Sequence, residues 1–191
     1  MALSSGYRGQ TFVAYTDISG FKAMMTNEAR LMRAMDALYS SGYRNLQHPN
    51  RRSVVVRGIF ISDCGILFAR RDIESELLAL DSLLQVLAAL HRDVFDSTFS
   101  LTTSIAYGAF AYRKKIEFEG LEKNAIHGHA YVAAFMDNES ETGNLYPNEC
   151  RILKEGLPSS VTSDQIQTLE IARGRIREEE KHIYFEWMKR Q

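Results

Sequence analysis

Apolar residues along the chain recur with two spacings, and each spacing predicts one kind of element. Short runs rich in β-branched and aromatic residues, bounded by turn-forming residues, are typical of strands. Six segments fit this description, and they lie at residues 11–16, 53–61, 65–69, 99–111, 150–153 and 182–187. The second and third are joined through Ser62, Asp63 and Cys64, which predicts a β-hairpin with Asp63 in its tight turn.

Helices are predicted where apolar side chains recur every three or four residues. One such pattern follows the first strand and reaches Gln47, with Ser19 as its predicted N-cap. Residues 112–125 fit neither pattern, and residues 138–148 are predicted to form a loop. Three further helices are predicted, at residues 73–94, 130–136 and 163–181.

The order of these elements predicts the fold class. Strand and helix follow each other as β-α-β-β-α-β, which is the order of a ferredoxin-like α+β fold, an antiparallel-rich sheet with helices packed on one face. No internal repeat or linker divides the sequence. We therefore expect one domain over residues 1–191, with its core at about 11–140 and a C-terminal extension at 141–191.

Composition narrows the classes of function. The chain has 191 residues, 45% of them apolar, and its 23 Lys and Arg nearly balance its 24 Asp and Glu. No basic excess indicates a nucleic-acid or anionic-membrane partner. Two cysteines are typical of a reducing cytosol, no apolar N-terminal leader is evident, and polar residues interrupt the most apolar stretch, 77–90. We expect a cytoplasmic protein that binds neither nucleic acid nor a membrane.

The first candidate for chemistry is Asp17, at the end of the first predicted strand. It is followed by Ile18, Ser19, Gly20 and Phe21 at the start of the predicted helix. Backbone N–H groups at a helix start favour a bound anion, and a glycine lets such a ligand approach the backbone closely. Taken alone, the commoner role of the Asp17 and Ser19 side chains is only to cap the helix.

Asp63 changes this interpretation. In a β-α-β-β unit the end of the first strand and the tip of the following hairpin lie side by side, so Asp17 and Asp63 are expected to meet. Two adjacent carboxylates repel each other unless cations lie between them. Mg²⁺ or Mn²⁺ ions together with a phosphate chain satisfy both features, which points to phosphoryl transfer.

Four segments together resemble the catalytic domain of class III nucleotidyl cyclases. Residues 12–25, FVAYTDISGFKAMM, are similar to the family's Asp-Ile-x-Gly-Phe segment, and residues 58–69, GIFISDCGILFA, to its hairpin, with Ser62-Asp63 at the family's Gly-Asp. SIAYGAF at 104–110 and HGHAYVAAF at 127–135 resemble the following strand and helix start. The resemblance covers roughly residues 11–140, in the family's order.

The resemblance implies a homodimer with active sites at the subunit interface and a nucleoside triphosphate as substrate. It implies two divalent cations, Mn²⁺ or Mg²⁺, held by the catalytic Asp17 and Asp63 and by the backbone carbonyl of Ile18. The ribose 3′-hydroxyl would attack the α-phosphorus and pyrophosphate would leave. The triphosphate would be held by the turn made of Ser19, Gly20, Phe21 and Lys22.

The sequence departs from adenylyl cyclases at the positions that read adenine. Ile59 stands at the position of the family's base-reading Lys, and Ala125 at that of its base-reading Asp. A site that lacks these hydrogen-bonding groups does not select adenine as that family does. Val132 and Met136 occupy the positions of the family's Asn and Arg, which orient the ribose and stabilise the transition state. Candidates for a replacement cation are Arg113, Lys114, Lys115 and Lys189.

These departures resemble the pyrimidine cyclases of bacterial Pycsar anti-phage defence, whose products activate a separate effector. This resemblance implies conversion of UTP to 3′,5′-cyclic UMP, with CTP and cyclic CMP as the alternative. Arg57, Ile59 and Ala125 are the candidate base-pocket residues, although an exposed strand residue is the commoner role for Arg57. A purine cyclase with relocated base contacts, and a catalytically silent module that dimerises or binds nucleotide, stay open.

Overall fold

The computed structural model describes residues 6–47, 55–70, 75–118, 121–140 and 145–187, with only the backbone described at 114–118 and 121–124. This part of the chain forms an eight-stranded sheet. Six of these strands fall on or near a segment that its composition predicts to be a strand. The two exceptions are one polar strand and one strand of three residues. The strands are β1 (Gly6–Ile18), β2 (Val55–Ile61), β3 (Cys64–Arg70), β4 (Leu101–Phe118), β5 (Leu121–His127), β6 (Glu149–Leu153), β7 (Ile176–Glu178) and β8 (His182–Glu186).

The sheet has the topology that the order of elements predicts. Its strands lie in the order β2-β3-β1-β4-β6-β8-β7, with β5 paired to the far end of β4. Neighbouring strands among the first four are antiparallel and form the ferredoxin-like unit, which confirms the expected α+β class. β6 is parallel to β4, and through it the C-terminal strands join the same sheet.

Apolar side chains of β1 alternate between two cores. Phe12, Ala14 and Ile18 belong to the larger core, which α2 (Glu28–Gln47) and α3 (Glu76–Asp96) cover. Val13 and Tyr15 belong to a smaller core on the opposite face. That face is covered by α4 (His129–Asn138), through buried Ala130 and Ala134. The two crossover helices thus share one face as predicted, and α4 adds a layer on the other.

The predicted first helix is two helices, and Ser19 does not cap it. The Ser19 N–H donates to the Ser100 carbonyl at 2.8 Å, which extends the β1–β4 pairing by one residue. Gly20, with φ 73°, then turns the chain, and α1 spans only Phe21–Met24. A second start follows because the Asn27 side chain accepts the Arg30 N–H at 3.1 Å and begins α2.

The prediction of a single helix over residues 163–181 is wrong. Thr162 and Gln165 form a capping box that begins α5 (Ser163–Thr168), and a 3₁₀ helix, Glu170–Ala172, follows. Gly174 takes a left-handed φ of 69°, which ends the helical segment. Beyond it the chain returns as β7 and pairs with β8, so the alternating charges lie on an edge strand and its flanks.

Of the unassigned residues 112–125, the described ones belong to β4 and β5, whose antiparallel pairing extends beyond the body of the sheet. The predicted loop at 138–148 begins after α4, and its described residues include a turn before β6. Within the described residues, none of the helices has the length and apolar character that crossing a membrane requires.

Candidate active site

Asp17 and Asp63 lie at the same edge of the sheet, as the hairpin pattern predicts. Asp17 pairs with Cys64 across β1 and β3, and with Thr102 across β1 and β4. Asp63 occupies the two-residue turn between β2 and β3. Its carbonyl accepts the Ile18 N–H at 3.1 Å, so one backbone hydrogen bond ties the hairpin turn to the end of β1.

The surroundings of Asp17 disfavour its negative charge. Burial raises the pKa of the Asp17 carboxyl, and the charges of Asp63 and then Glu139 raise it further, to about 7. A hydrogen bond from the Ile18 N–H acts in the opposite direction. A carboxylate that faces two other carboxylates in a partly buried site is stabilised by a cation.

The turn after β1 presents backbone N–H groups beside Asp17. Gly20 is exposed and left-handed, and the first amides of α1, at Phe21 and Lys22, have no acceptor within that helix. The Ser19 hydroxyl is buried and has no hydrogen-bond partner among the described residues. The turn therefore combines unused donors with a small residue that leaves room for a ligand.

A pocket of about 360 Å³ opens at this edge, and it includes residues that the sequence did not identify. Asp17, Ser19 and Gly20 line one side. Thr102 and the polar segment after α4 line the rest, with Glu139 close enough to Asp17 to raise its pKa. The lining residues beyond β1 are Thr102, Asn138, Glu139, Ser140, Leu145 and Pro147. Only the polar character of Asn138, Glu139 and Ser140, at the end of a predicted helix, hinted at such a position.

A buried ion pair holds the end of α4 against the sheet. Asp137 accepts from the Arg151 Nε at 2.7 Å and from the Ser104 hydroxyl at 2.7 Å, and His182 lies 2.8 Å away. Arg151 is fully buried, and its guanidinium also donates to the Asp137 carbonyl. This network fixes the position of the next residues, Asn138 and Glu139, at the pocket.

The donor set suits hard divalent cations. Carboxylate and carbonyl oxygens are the ligands that Mg²⁺ and Mn²⁺ prefer, and burial and then the charges of Asp63 and Glu139 raise the pKa of the Asp17 carboxyl. The described residues contain no group of three or more His, Cys, Asp or Glu side chains arranged as a metal site. Asp17, Asp63 and the Ile18 carbonyl would thus supply part of the coordination, and phosphate oxygens or water the remainder.

The candidate base-pocket residues are not brought to Asp17 within one chain. Arg57 and Ile59 lie on β2, on the same side of the sheet as Asp17, two strands away. Ala125 pairs with Arg113, which is eleven residues along β4 from Thr102, the partner of Asp17. At about 3.3 Å per residue, Ala125 lies on the order of 30 Å from Asp17.

The positions of the family's Asn and Arg are exposed and apolar. Val132 and Met136 on α4 are 53% and 62% exposed. Of the candidate replacement cations, Arg113 is exposed at the far end of β4, while the side chains of Lys114 and Lys115, and all of Lys189, lie outside the described residues. Within the described part of the site, no basic residue lines the pocket.

Comparison with known sequences identifies no relative: neither a protein-family model nor a curated protein matches the chain.

Solved structures of similar shape are class III cyclases. The adenylyl cyclase CyaB from P. aeruginosa matches with a TM-score of 0.64 and 13% identity, over 97% of both chains. The guanylyl cyclase Cya2 matches with a TM-score of 0.55 and 15% identity, over 95% of this chain and 92% of that one. A class III adenylyl cyclase-like ATP-binding protein from Pseudomonas aeruginosa matches with a TM-score of 0.59 and 15% identity, over 78% of this chain and 34% of its own. The chain therefore has the class III nucleotidyl cyclase fold.

Proposed function

We propose that the protein is a metal-dependent pyrimidine nucleotide cyclase, which converts UTP to 3′,5′-cyclic UMP and pyrophosphate. The observation that carries this proposal is the meeting of Asp17 and Asp63 beside a polar pocket, on a class III cyclase fold. In the reaction the ribose 3′-oxygen bonds to the α-phosphorus, and the bond from that phosphorus to the bridging oxygen of the leaving pyrophosphate breaks.

The residues of this edge have separate roles in the proposed reaction. Asp17, Asp63 and the carbonyl of Ile18 hold two divalent cations, Mn²⁺ or Mg²⁺, which neutralise phosphate charge and activate the hydroxyl group when bound. Ser19, Gly20, Phe21 and Lys22 bind the triphosphate through backbone N–H groups, the Ser19 hydroxyl and the Lys22 ammonium. In support, the Ser19 hydroxyl has no partner within the described residues.

The preference for a pyrimidine rests on the groups at the base positions. Ile59 and Ala125 offer no side-chain hydrogen bond to adenine. Arg57 is the candidate base-pocket residue with a polar side chain, and it is therefore the candidate that reads uracil. CTP, with cyclic CMP as product, is the alternative substrate of the same site.

We further propose that the active enzyme is a homodimer in which the base of each nucleotide is bound by the second subunit. The distance between Ala125 and Asp17 supports this, because a single nucleotide bound at Asp17 does not reach Ala125 of the same chain. Exposed apolar residues on α4, Val132 and Met136, offer surface that a second subunit would cover.

The biological setting follows from the resemblance to Pycsar cyclases. There the cyclic nucleotide is a second messenger in anti-phage defence, and it activates a separate effector protein. The same role is proposed for the product made here.

The test is direct. Purified protein is incubated with Mn²⁺ and each of the four ribonucleoside triphosphates, and the products are separated by chromatography and mass. Cyclic UMP from UTP, lost in both Asp17→Asn and Asp63→Asn, is the expected result. A cyclic product from ATP or GTP alone would contradict the pyrimidine assignment, and turnover retained by either variant would contradict the site.

A second candidate function is a nucleotide-binding module without turnover. Val132 and Met136 in place of the family's Asn and Arg favour it, because neither side chain stabilises a charged transition state. Nucleoside triphosphate binding to the wild-type dimer, with no cyclic product from any of the four substrates, would establish this second function.

A further inference from the structure

A second pocket lies on the other side of the sheet from Asp17, between α2 and the turn that follows α3. Its volume is about 530 Å³, which is within the range of small-molecule binding sites. It shares no lining residue with the pocket at Asp17. We call it the α2 groove, defined by Arg30, Arg33, Arg44, Ser97 and Thr98.

The α2 groove is rich in positive charge. Arg30, Arg33 and Arg44 recur at intervals of three and eleven residues, which places them along one stripe of the helix. All three side chains are exposed. The one acidic residue among the described residues that line the groove is Asp36. Since the whole chain has a formal net charge of -1, this concentration of arginines is local to the groove.

Acidic side chains neutralise little of the positive charge of these arginines. Arg30 and Arg33 form no ion pair within the described part of the chain, and the Arg33 Nε donates only to the Ala29 carbonyl of its own helix. Arg44 lies 3.9 Å from Asp93, at the limit of an ion pair, and that carboxylate already accepts from the Asn45 amide at 3.0 Å. Like charges one turn apart repel each other, and a bound anion removes this repulsion.

The facing turn supplies hydroxyl groups, one of them at a conformational cost. Thr98 follows α3 with a left-handed φ of 69°, a position that favours glycine and disfavours a β-branched residue. Its N–H bonds to the Phe95 carbonyl at 2.8 Å, but its hydroxyl has no hydrogen bond within the described residues. Because Thr98 lines the groove, this strained position places there a hydroxyl group that has no partner of its own within the described residues.

We propose that the α2 groove binds a small, multiply phosphorylated compound. Planar guanidinium groups engage phosphate oxygens in pairs, and hydroxyl groups donate to the remaining ones. Arg30 and Arg44 are fourteen residues apart, or about 21 Å along the helix axis, so a compound with more than one phosphate group is needed to contact both ends. The proposal is independent of the reaction proposed above.

The test measures binding without turnover. Inorganic tripolyphosphate is titrated calorimetrically into the wild-type protein with EDTA present and at physiological ionic strength. We expect binding that weakens at least about tenfold in an Arg30→Gln, Arg33→Gln double variant, because two charge-assisted contacts are lost. Thr98→Gly, which relieves the strained backbone and so keeps the fold, is expected to weaken binding severalfold.

The control variant loses one positive charge outside the α2 groove. Arg173→Gln removes an exposed arginine far along the chain. It is expected to keep wild-type affinity for tripolyphosphate. Absence of binding to the wild-type protein, no loss in the double variant, or an equal loss in Arg173→Gln would each overturn the proposal. None of these measurements depends on whether the protein cyclises a nucleotide.

Discussion

Asp17 shows how a single residue can reduce stability for the sake of a site. Burial of its carboxyl, together with the charges of Asp63 and then Glu139, raises its pKa from 3.8 to about 7. The folded state therefore holds this proton more tightly than the unfolded chain does. The stability linked to the proton is complete below pH 3.8 and is lost as the pH rises to about 7.

Asp17→Asn is accordingly expected to stabilise the metal-free protein above pH 7 while it abolishes turnover. The gain is about 1–2 kcal/mol, after discounting the pKa shift for solvent screening of a partly exposed group. Thermal unfolding in EDTA at alkaline and acidic pH measures it, and the gain should disappear near pH 4. Glu155→Gln, at an exposed carboxylate, is the control and should change neither value. An Asn variant that is less stable at every pH would refute this account of Asp17.

His91 makes stability depend on pH in the opposite direction. It is fully buried under Trp187, its Nε2 lies 2.8 Å from the Thr103 hydroxyl, and burial lowers its pKa from 6.5 to about 3. Below pH 6.5 the unfolded chain binds a proton at this histidine, and the folded chain does not. Stability that is present above pH 6.5 is therefore lost as the pH falls towards 3.

His91→Gln should remove this pH dependence, because glutamine can still donate to Thr103 but does not titrate. We expect the slope of unfolding free energy against pH between about pH 3 and 6.5 to be lower than in the wild type by about 1.4 kcal/mol per unit. Urea unfolding at several pH values measures the slope. His127→Gln, at an exposed histidine, should leave it unchanged, and an unaltered slope in His91→Gln would contradict the assignment.

At the scale of elements, the sequence predicted those features that depend on the spacing of apolar residues and on the order of strands and helices. The βαββαβ unit and the approach of Asp17 to Asp63 follow from strand order, since the hairpin turn and the end of β1 share one sheet edge. The helix at 163–181 could not be predicted correctly from charge spacing, because pairing of β7 with β8 determines that segment. Glu139 was missed because its approach to Asp17 depends on the Asp137–Arg151 pair, a contact between distant segments.

The junction of β5 and α4 depends on a glycine for two reasons. Gly128 has a φ of 132°, and a Cβ there would lie 2.3 Å from the Ala109 carbonyl oxygen and 2.8 Å from the Phe110 Cα. Both obstacles are backbone, so they cannot move aside as a flexible side chain would. Gly174, with a φ of 69°, has nothing within 4 Å of such a Cβ.

Gly128→Ala is therefore expected to destabilise the protein by at least about 3 kcal/mol, since strain and overpacking add. Gly174→Ala, which meets only the left-handed backbone penalty, should cost about 1 kcal/mol. Chemical denaturation of the two variants against wild type gives both values. Equal costs would show that the close approach of Gly128 to β4 is relieved in solution.

At the scale of the whole molecule, β4 separates two parts of the proposed site. Thr102 lies beside Asp17, and Arg113, eleven positions further along the strand, lies beside Ala125. If a second subunit supplies the base pocket, two different defects can compensate each other in a mixed dimer. Ala125→Trp is chosen to block the base pocket, and Asp17→Asn to remove a cation ligand.

Each of these variants alone should be inactive, and their mixture should regain about a quarter of wild-type cyclisation. Half of the randomly assembled dimers are mixed, and each mixed dimer has one intact site of two. Cyclic product formed after the subunits have exchanged is the measurement. A mixture of Asp17→Asn and Asp63→Asn is the control and should stay inactive, because both carboxylates belong to one chain. Rescue by the control mixture, or none by the first, would exclude the shared site.

The length of β4 also bears on how such a protein can diverge. In the proposed site, the residues that hold phosphate and those that face the base lie beside opposite ends of this one strand, with a continuous ladder of backbone hydrogen bonds between them. On that proposal, substitutions near Ala125 would alter which nucleotide is accepted without disturbing the packing around Asp17. Selection on the identity of the messenger and selection on the rate of its synthesis would then act on separate sets of residues.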